Sequence, residues 1–141
     1  MMDTDLREAI YDFITTEVEG LRPYVSSSDL GNVFYREIPE GVSDSVICVF
    51  QELTDRPDLR DNKDVRIESK YIEFTFYAGN RSDLESMVKK LRTAFDDCES
   101  TLSVPGYKVI SVRWQATRDS LFNETDRVIV EYKIRLQIEG E

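Results

Sequence analysis

Four aspartates, Asp55, Asp58, Asp61 and Asp64, recur at every third position of the stretch TDRPDLRDNKD. Closely spaced carboxylates are the ligands a hard cation such as calcium takes. The pattern fails as a metal loop. It lacks the alternation and the turn glycine of an EF-hand, and Arg56, Arg60 and Lys63 interleave with the acids. No metal or cofactor is therefore expected. Nucleophilic chemistry has equally little to work with. The chain contains no histidine, which removes Ser-His and Cys-His pairs and imidazole ligands. It has no phosphate loop and no dinucleotide fingerprint. Cys48 falls in a strand pattern and Cys98 on a helical stripe, so each reads as a small buried hydrophobe. Nothing in the sequence supports a disulfide between them, and a reducing cytosol is the default. No acid pair stands out to run a carboxylate-only mechanism. An enzyme is not expected.

The same charged stretch has a second reading. Residues 54–64 offer only Leu59 as an apolar anchor, so they read as a long hairpin loop standing away from the core. Such a loop is either a mobile connector or a contact arm. As an arm, it presents Asp55, Arg56, Asp58, Arg60, Asp61 and Lys63 to a neighbour, mobile in the monomer and ordered on assembly. A second candidate contact is the pair Leu121-Phe122, in the middle of the polar stretch 116–126. It reads either as tucked back onto the domain or as an exposed anchor for another subunit.

These segments need elements to hold them, and residues 71–96 organise the rest. Ile72, Phe74 and Phe76 alternate with Glu73, Thr75 and Tyr77, the period of a strand with one buried face. Gly79-Asn80 breaks the strand, since both tolerate positive φ. Ser82 with Glu85 reads as a capping box. Leu84, Met87, Val88, Leu91, Ala94, Phe95 and Cys98 then form an apolar helical stripe. At roughly 1.5–3 kcal/mol per large buried side chain, this unit supplies much of the core. Before it, residues 3–19 predict a strongly acidic helix capped by Asp3 or Thr4, with Gly20 as its C′ residue. Its charge reads either as a solvated outer face, the plainer reading, or as a face turned towards a channel or a basic partner. Residues 33–38 and 46–53 predict strands, and the turn 39–41 separates them. The shift of parity between Val65–Ile67 and Ile72–Phe76 is reconciled by a bulge near 68–70 or by a change of partner. Residues 110–115 alternate as a half-buried strand, and 128–138 give the cleanest strand of all. The fold expected is α+β, a mainly antiparallel sheet with two helices packed on one face and a long charged hairpin loop.

At 141 residues, one domain spanning 1–141 is expected, burying about two-thirds of its unfolded surface. No apolar run approaches the ~20 residues of a membrane span. The acidic start, MMDTDLREAI, is not that of a signal peptide. Eighteen Lys and Arg stand against 28 Asp and Glu, a net charge of −10. Nucleic-acid phosphates repel such a chain, so a conventional DNA reader is excluded. The charge means solubility or, more sharply, an acidic channel wall that DNA slides past.

The phrase EFTFYAGNRSDLESMVKKLRTAFD resembles the central strand–helix signature of phage tail-completion proteins, the tail terminators or tail-to-head joining proteins. The likeness extends through the order of elements, with weaker echoes at 47–53 and 128–138. It implies a non-enzymatic structural protein of a virion tail or neck, assembled in the host cytoplasm. Members of the family form a ring, commonly hexameric, that caps the tail tube and joins it to the head while the genome passes through. The implied partners are further copies of the chain, the tail tube protein and the head–tail connector or neck proteins. Membranes and specific nucleic-acid sequences are not among them. Another neck or connector protein, or a cellular binding or adaptor domain of α+β fold, would share these features.

Overall fold

The computed structural model describes residues 3–42, 44–53, 67–122 and 125–138, with the backbone alone at 120–122, 125 and 126. The elements run α1 (Thr4–Glu17), β1 (Val33–Tyr35), β2 (Val46–Glu52), β3 (Ile67–Ala78), α2 (Arg81–Phe95), β4 (Tyr107–Phe122) and β5 (Thr125–Ile138). The strands form one sheet in the order β1-β2-β3-β5-β4. Only β1–β2 is parallel; the other pairs are antiparallel. This is the α+β architecture that the pattern of alternation implies.

Alternation decides what each strand buries. Cys48, Phe50, Ile72, Phe74 and Phe76, with Val128, Val130, Tyr132, Ile134 and Leu136, share one face of the sheet and are buried. Both helices cover that face. Leu6, Ile10 and Ile14 of α1 and Leu84, Met87, Leu91 and Phe95 of α2 are buried at helical spacing in the same core. Phe95 joins the layers. Its ring meets Phe13 of α1 at 5.8 Å, Phe74 at 5.3 Å and Tyr132 at 4.8 Å, all edge to face, the arrangement favoured by ring quadrupoles.

Local chemistry sets the helix ends. Asp3 caps α1, its Oδ1 accepting from the amides of Asp5 and Leu6. The helix stops at Glu17, two residues short of the expected end. Gly20 then turns the chain at a φ of +96°. Asn32 holds that turn against the sheet. Its side chain donates to the carbonyls of Gly20 and Val46 and accepts from the Arg22 amide at 2.7 Å. Gly31, at a φ of +71°, runs so close that a Cβ there would lie 2.5 Å from the Arg22 carbonyl oxygen. At α2 the cap is Asn80, whose Oδ1 accepts from the Asp83 amide at 2.9 Å. The expected Ser82–Glu85 box is displaced, because the helix already begins at Arg81 and leaves Ser82 inside its first turn.

Two further expectations are corrected. Ile67–Ala78 pairs one-to-one with Asp126–Gln137, so there is no bulge at 68–70. Ile67 simply stands on the face away from the helices. The irregularities fall instead in β4, between Val109 and Ser111 and between Trp114 and Ala116. In the stretch 116–126, expected as a loop, β4 instead runs on to Phe122, which pairs with Thr125 of β5. Edge position explains the misreading, since both faces of β4 carry polar side chains there.

Candidate interaction surfaces

The face of the sheet away from the helices carries a polar row across four strands. Glu73 of β3 and Glu131 of β5 are directly opposed in the register. Like charges so placed repel, and both side chains are largely buried, 14% and 7% exposed. Arg118 of β4 offsets the repulsion. Its guanidinium donates to Glu73 at 3.3 Å and stands 4.0 Å from Glu131. The Gln51 amide donates to the other Glu73 oxygen at 3.2 Å. The bulge at Gln115 puts Arg118 on this face, where it pairs with Ile129. Lys108, Arg113, Arg127, Lys133 and Arg135 share the face by register, and Lys133 lies over the Tyr71 ring. Among the described residues this face carries more cations than carboxylates, on a chain of net −10.

The helix side ends in a groove of 560 Å³ between α2 and the β4–β5 pair. Val88 and Val128 contribute apolar lining, and its charged lining mixes Arg81, Lys89 and Arg92 with Glu85, Asp96 and Asp119. Arg81 pairs with Asp119 across it. A chain of contacts runs from the core to its rim. The Tyr132 hydroxyl donates to Asp96, which also accepts from Arg92 at 2.9 Å. Burial and the Asp96 carboxylate push the Tyr132 phenol up, so it stays a donor. The Arg92 guanidinium, its own pKa raised by Asp96, stacks 4.2 Å from the centre of the Trp114 ring. Trp114 is 39% exposed, and its indole N–H donates to the Thr117 hydroxyl. Arg113 ties the end of α2 to β4 through Asp97 at 2.6 Å and Glu99 at 3.3 Å.

Asp55, Arg56, Asp58, Arg60, Asp61 and Lys63 lie outside the described residues. Their flanks, Leu53 and Ile67, sit at one end of the sheet, where Leu53 bonds to Tyr71. Leu121 and Phe122 sit at the other end, beside the last pair of β3, Ala78 with Asp126. Eleven residue steps of strand, about 36 Å, separate these ends. The Glu73–Glu131–Arg118 row and the Arg92–Trp114 stack were missed. A glutamate flanked by large apolar residues in each of β3 (Ile72-Glu73-Phe74) and β5 (Val130-Glu131-Tyr132) was the available signal, as was a single tryptophan on an edge strand.

The cysteines are free and buried. Burial pushes the Cys98 thiol up to about 12 and Cys48 further still, which leaves no thiolate nucleophile. Among the described residues no group of acids and cysteines could hold a metal, and no helix is long and apolar enough to cross a membrane.

No protein-family model and no curated protein matches the sequence. Among solved structures, the fold superposes on a chain from the virion of a native gene transfer agent particle, with a TM-score of 0.68. The superposition covers 96% of this chain and 99% of that one, at 9% identity. At that identity the two share a fold.

Proposed function

We propose that the chain is a structural, non-enzymatic virion protein of a tailed phage or phage-derived particle. In this reading it completes the tail, capping the tube and joining it to the head as a ring, hexameric as the resemblance implies, through which DNA passes. Its partners are further copies of itself, the tube protein and the neck proteins. One observation carries the reading: end-to-end superposition on a virion chain with almost nothing left over on either side. The tail-completion signature at 73–96 adds the finer assignment.

The test is loss of the gene followed by electron microscopy and mass spectrometry of the particles. Wild-type particles should contain the chain, and the mutant should yield heads and unjoined tails. Tails of abnormal length mark a terminator, whereas finished tails beside free heads mark another neck protein. Normal particles without the chain would overturn the reading. Within it, the 54–64 arm contacts a neighbour. Reversing Arg56 and Arg60 to Glu should leave the melting curve unchanged and block joining. Normal assembly of that double variant would reduce the arm to a solvated connector.

A further inference from the structure

We infer that copies of this chain associate head to tail, the acidic outer face of α1 in one copy docking on the bare basic face of the sheet in the next. The inference rests on the reading of the chain as a ring-forming component and names the surfaces that build the ring. Asp5, Glu8 and Asp12 recur three and four residues apart, so they form one ridge along α1, and all three are exposed. None makes an ion pair among the described residues. On the far side of the sheet, Lys133 and the exposed Lys108, which stands opposite Gln137, belong to the face of net positive charge. The two patches have matching reach. Asp5 to Asp12 spans about 10 Å of helix, and Lys133 to the Lys108 row about 13 Å of strand.

The sheet stands between the patches, so they cannot meet within one copy. Two-fold pairing would set acid on acid or base on base. Only a heterologous contact joins unlike faces, and such a contact repeats from copy to copy until it closes a ring or extends a filament. Duplex DNA is a poorer occupant of the basic face, because the chain as a whole repels phosphate. Surface pairs are weak and salt-screened, so association should build up through closure and fade at high ionic strength.

The experiment is sedimentation velocity on the purified full chain at low and high salt, with thermal melts as a control on folding. Two double reversals are made, Glu8→Lys with Asp12→Lys and Lys108→Glu with Lys133→Glu. Each alone should weaken self-association about tenfold or more, as a loss near 1.4 kcal/mol would. An equimolar mixture of the two should associate again, because each then offers the face the other lacks. If a reversal fails to fold, the neutral Lys108→Gln, Lys133→Gln chain should show a smaller loss in the same direction. A wild type that is monomeric at low salt, reversals without effect, or a mixture that stays apart would each overturn the inference. So would salt-sensitive binding of duplex DNA abolished by the lysine reversals. A monomeric chain that is nevertheless found in particles defeats the docking scheme alone. A chain that associates as described but is absent from particles defeats the virion reading alone.

Discussion

Phe74 and Glu73 are neighbours in β3, yet they are buried by different means. Phe74 points to the helix-covered face, where it meets the rings of Phe50, Phe95 and Tyr132. Water is excluded there by apolar area, which gains about 25 cal/mol for each Å² removed from solvent. Glu73 points to the bare face and is covered by its own polar neighbours, Gln51 and the long arm of Arg118. On that face the charges are desolvated only as far as other charges shield them, and the gain over solvation is small. The covered face therefore sets stability. The bare face is left free to specify contacts, since an exposed charge on it such as Lys108 can be exchanged at little cost to the fold.

The largest effect belongs to the covered face. Phe95→Ala removes the ring that joins α1, α2 and the sheet, and should cost about 3–5 kcal/mol in urea unfolding. Leu91→Ala should cost about 2–5 kcal/mol by the same route. A loss under ~1 kcal/mol for Phe95→Ala would break the comparison, because the helices would then not depend on that face. Next comes Arg118→Ala, which leaves Glu73 and Glu131 opposed without a shared cation. Arg118 is 49% exposed. The cost should thus fall at about 1–2 kcal/mol, between that of an exposed and a buried pair. Adding Glu131→Gln should recover most of it in a double-mutant cycle. Additive losses would mean that the two residues act separately and that the row is not a unit.

How much of this was legible follows from the same contrast. Ile72, Phe74 and Phe76, the strand from Val128 and the Leu84–Phe95 stripe were all readable, because apolar burial imposes a period of two or 3.6 on the residues themselves. Features that depend on partners far along the chain were not. Asn32 reads as a loop residue, and its acceptors lie 12 and 14 residues away. The strand at Val33–Tyr35 was expected within 33–38, but nothing local marks its parallel pairing with β2. Residues 116–122 looked like loop because at the sheet edge Thr117 faces the groove while Arg118 faces the acid row, polar on both sides. Asn80 took the cap from Ser82 because the chain leaves β3 at Ala78, and the helix starts as soon as Gly79 and Asn80 have turned it.

The smallest expected effect lies at the rim, where the two faces end and neither means of burial dominates. Trp114 is half covered by the Arg92 guanidinium and held in plane by its bond to Thr117. A stack of this kind at an exposed site contributes about 0.5–1 kcal/mol and the i,i+4 pair with Asp96 a few tenths more, so Arg92→Ala should cost about 1 kcal/mol. Asp96 would keep the Tyr132 hydroxyl as a partner, and the core beneath should not move. The sensitive readout is optical, because Trp114 is the only tryptophan in the chain. Loss of the guanidinium uncovers one ring face to water, so its emission should shift to the red and its anisotropy fall. Arg92→Lys keeps the charge but not the flat surface, and should behave like the alanine variant in emission. Unchanged emission in both variants would mean that the ring is not held by the stack in solution. A loss as large as that of Phe95→Ala would mean that the rim belongs to the covered face after all, and the division between the two faces would have to be redrawn through β4.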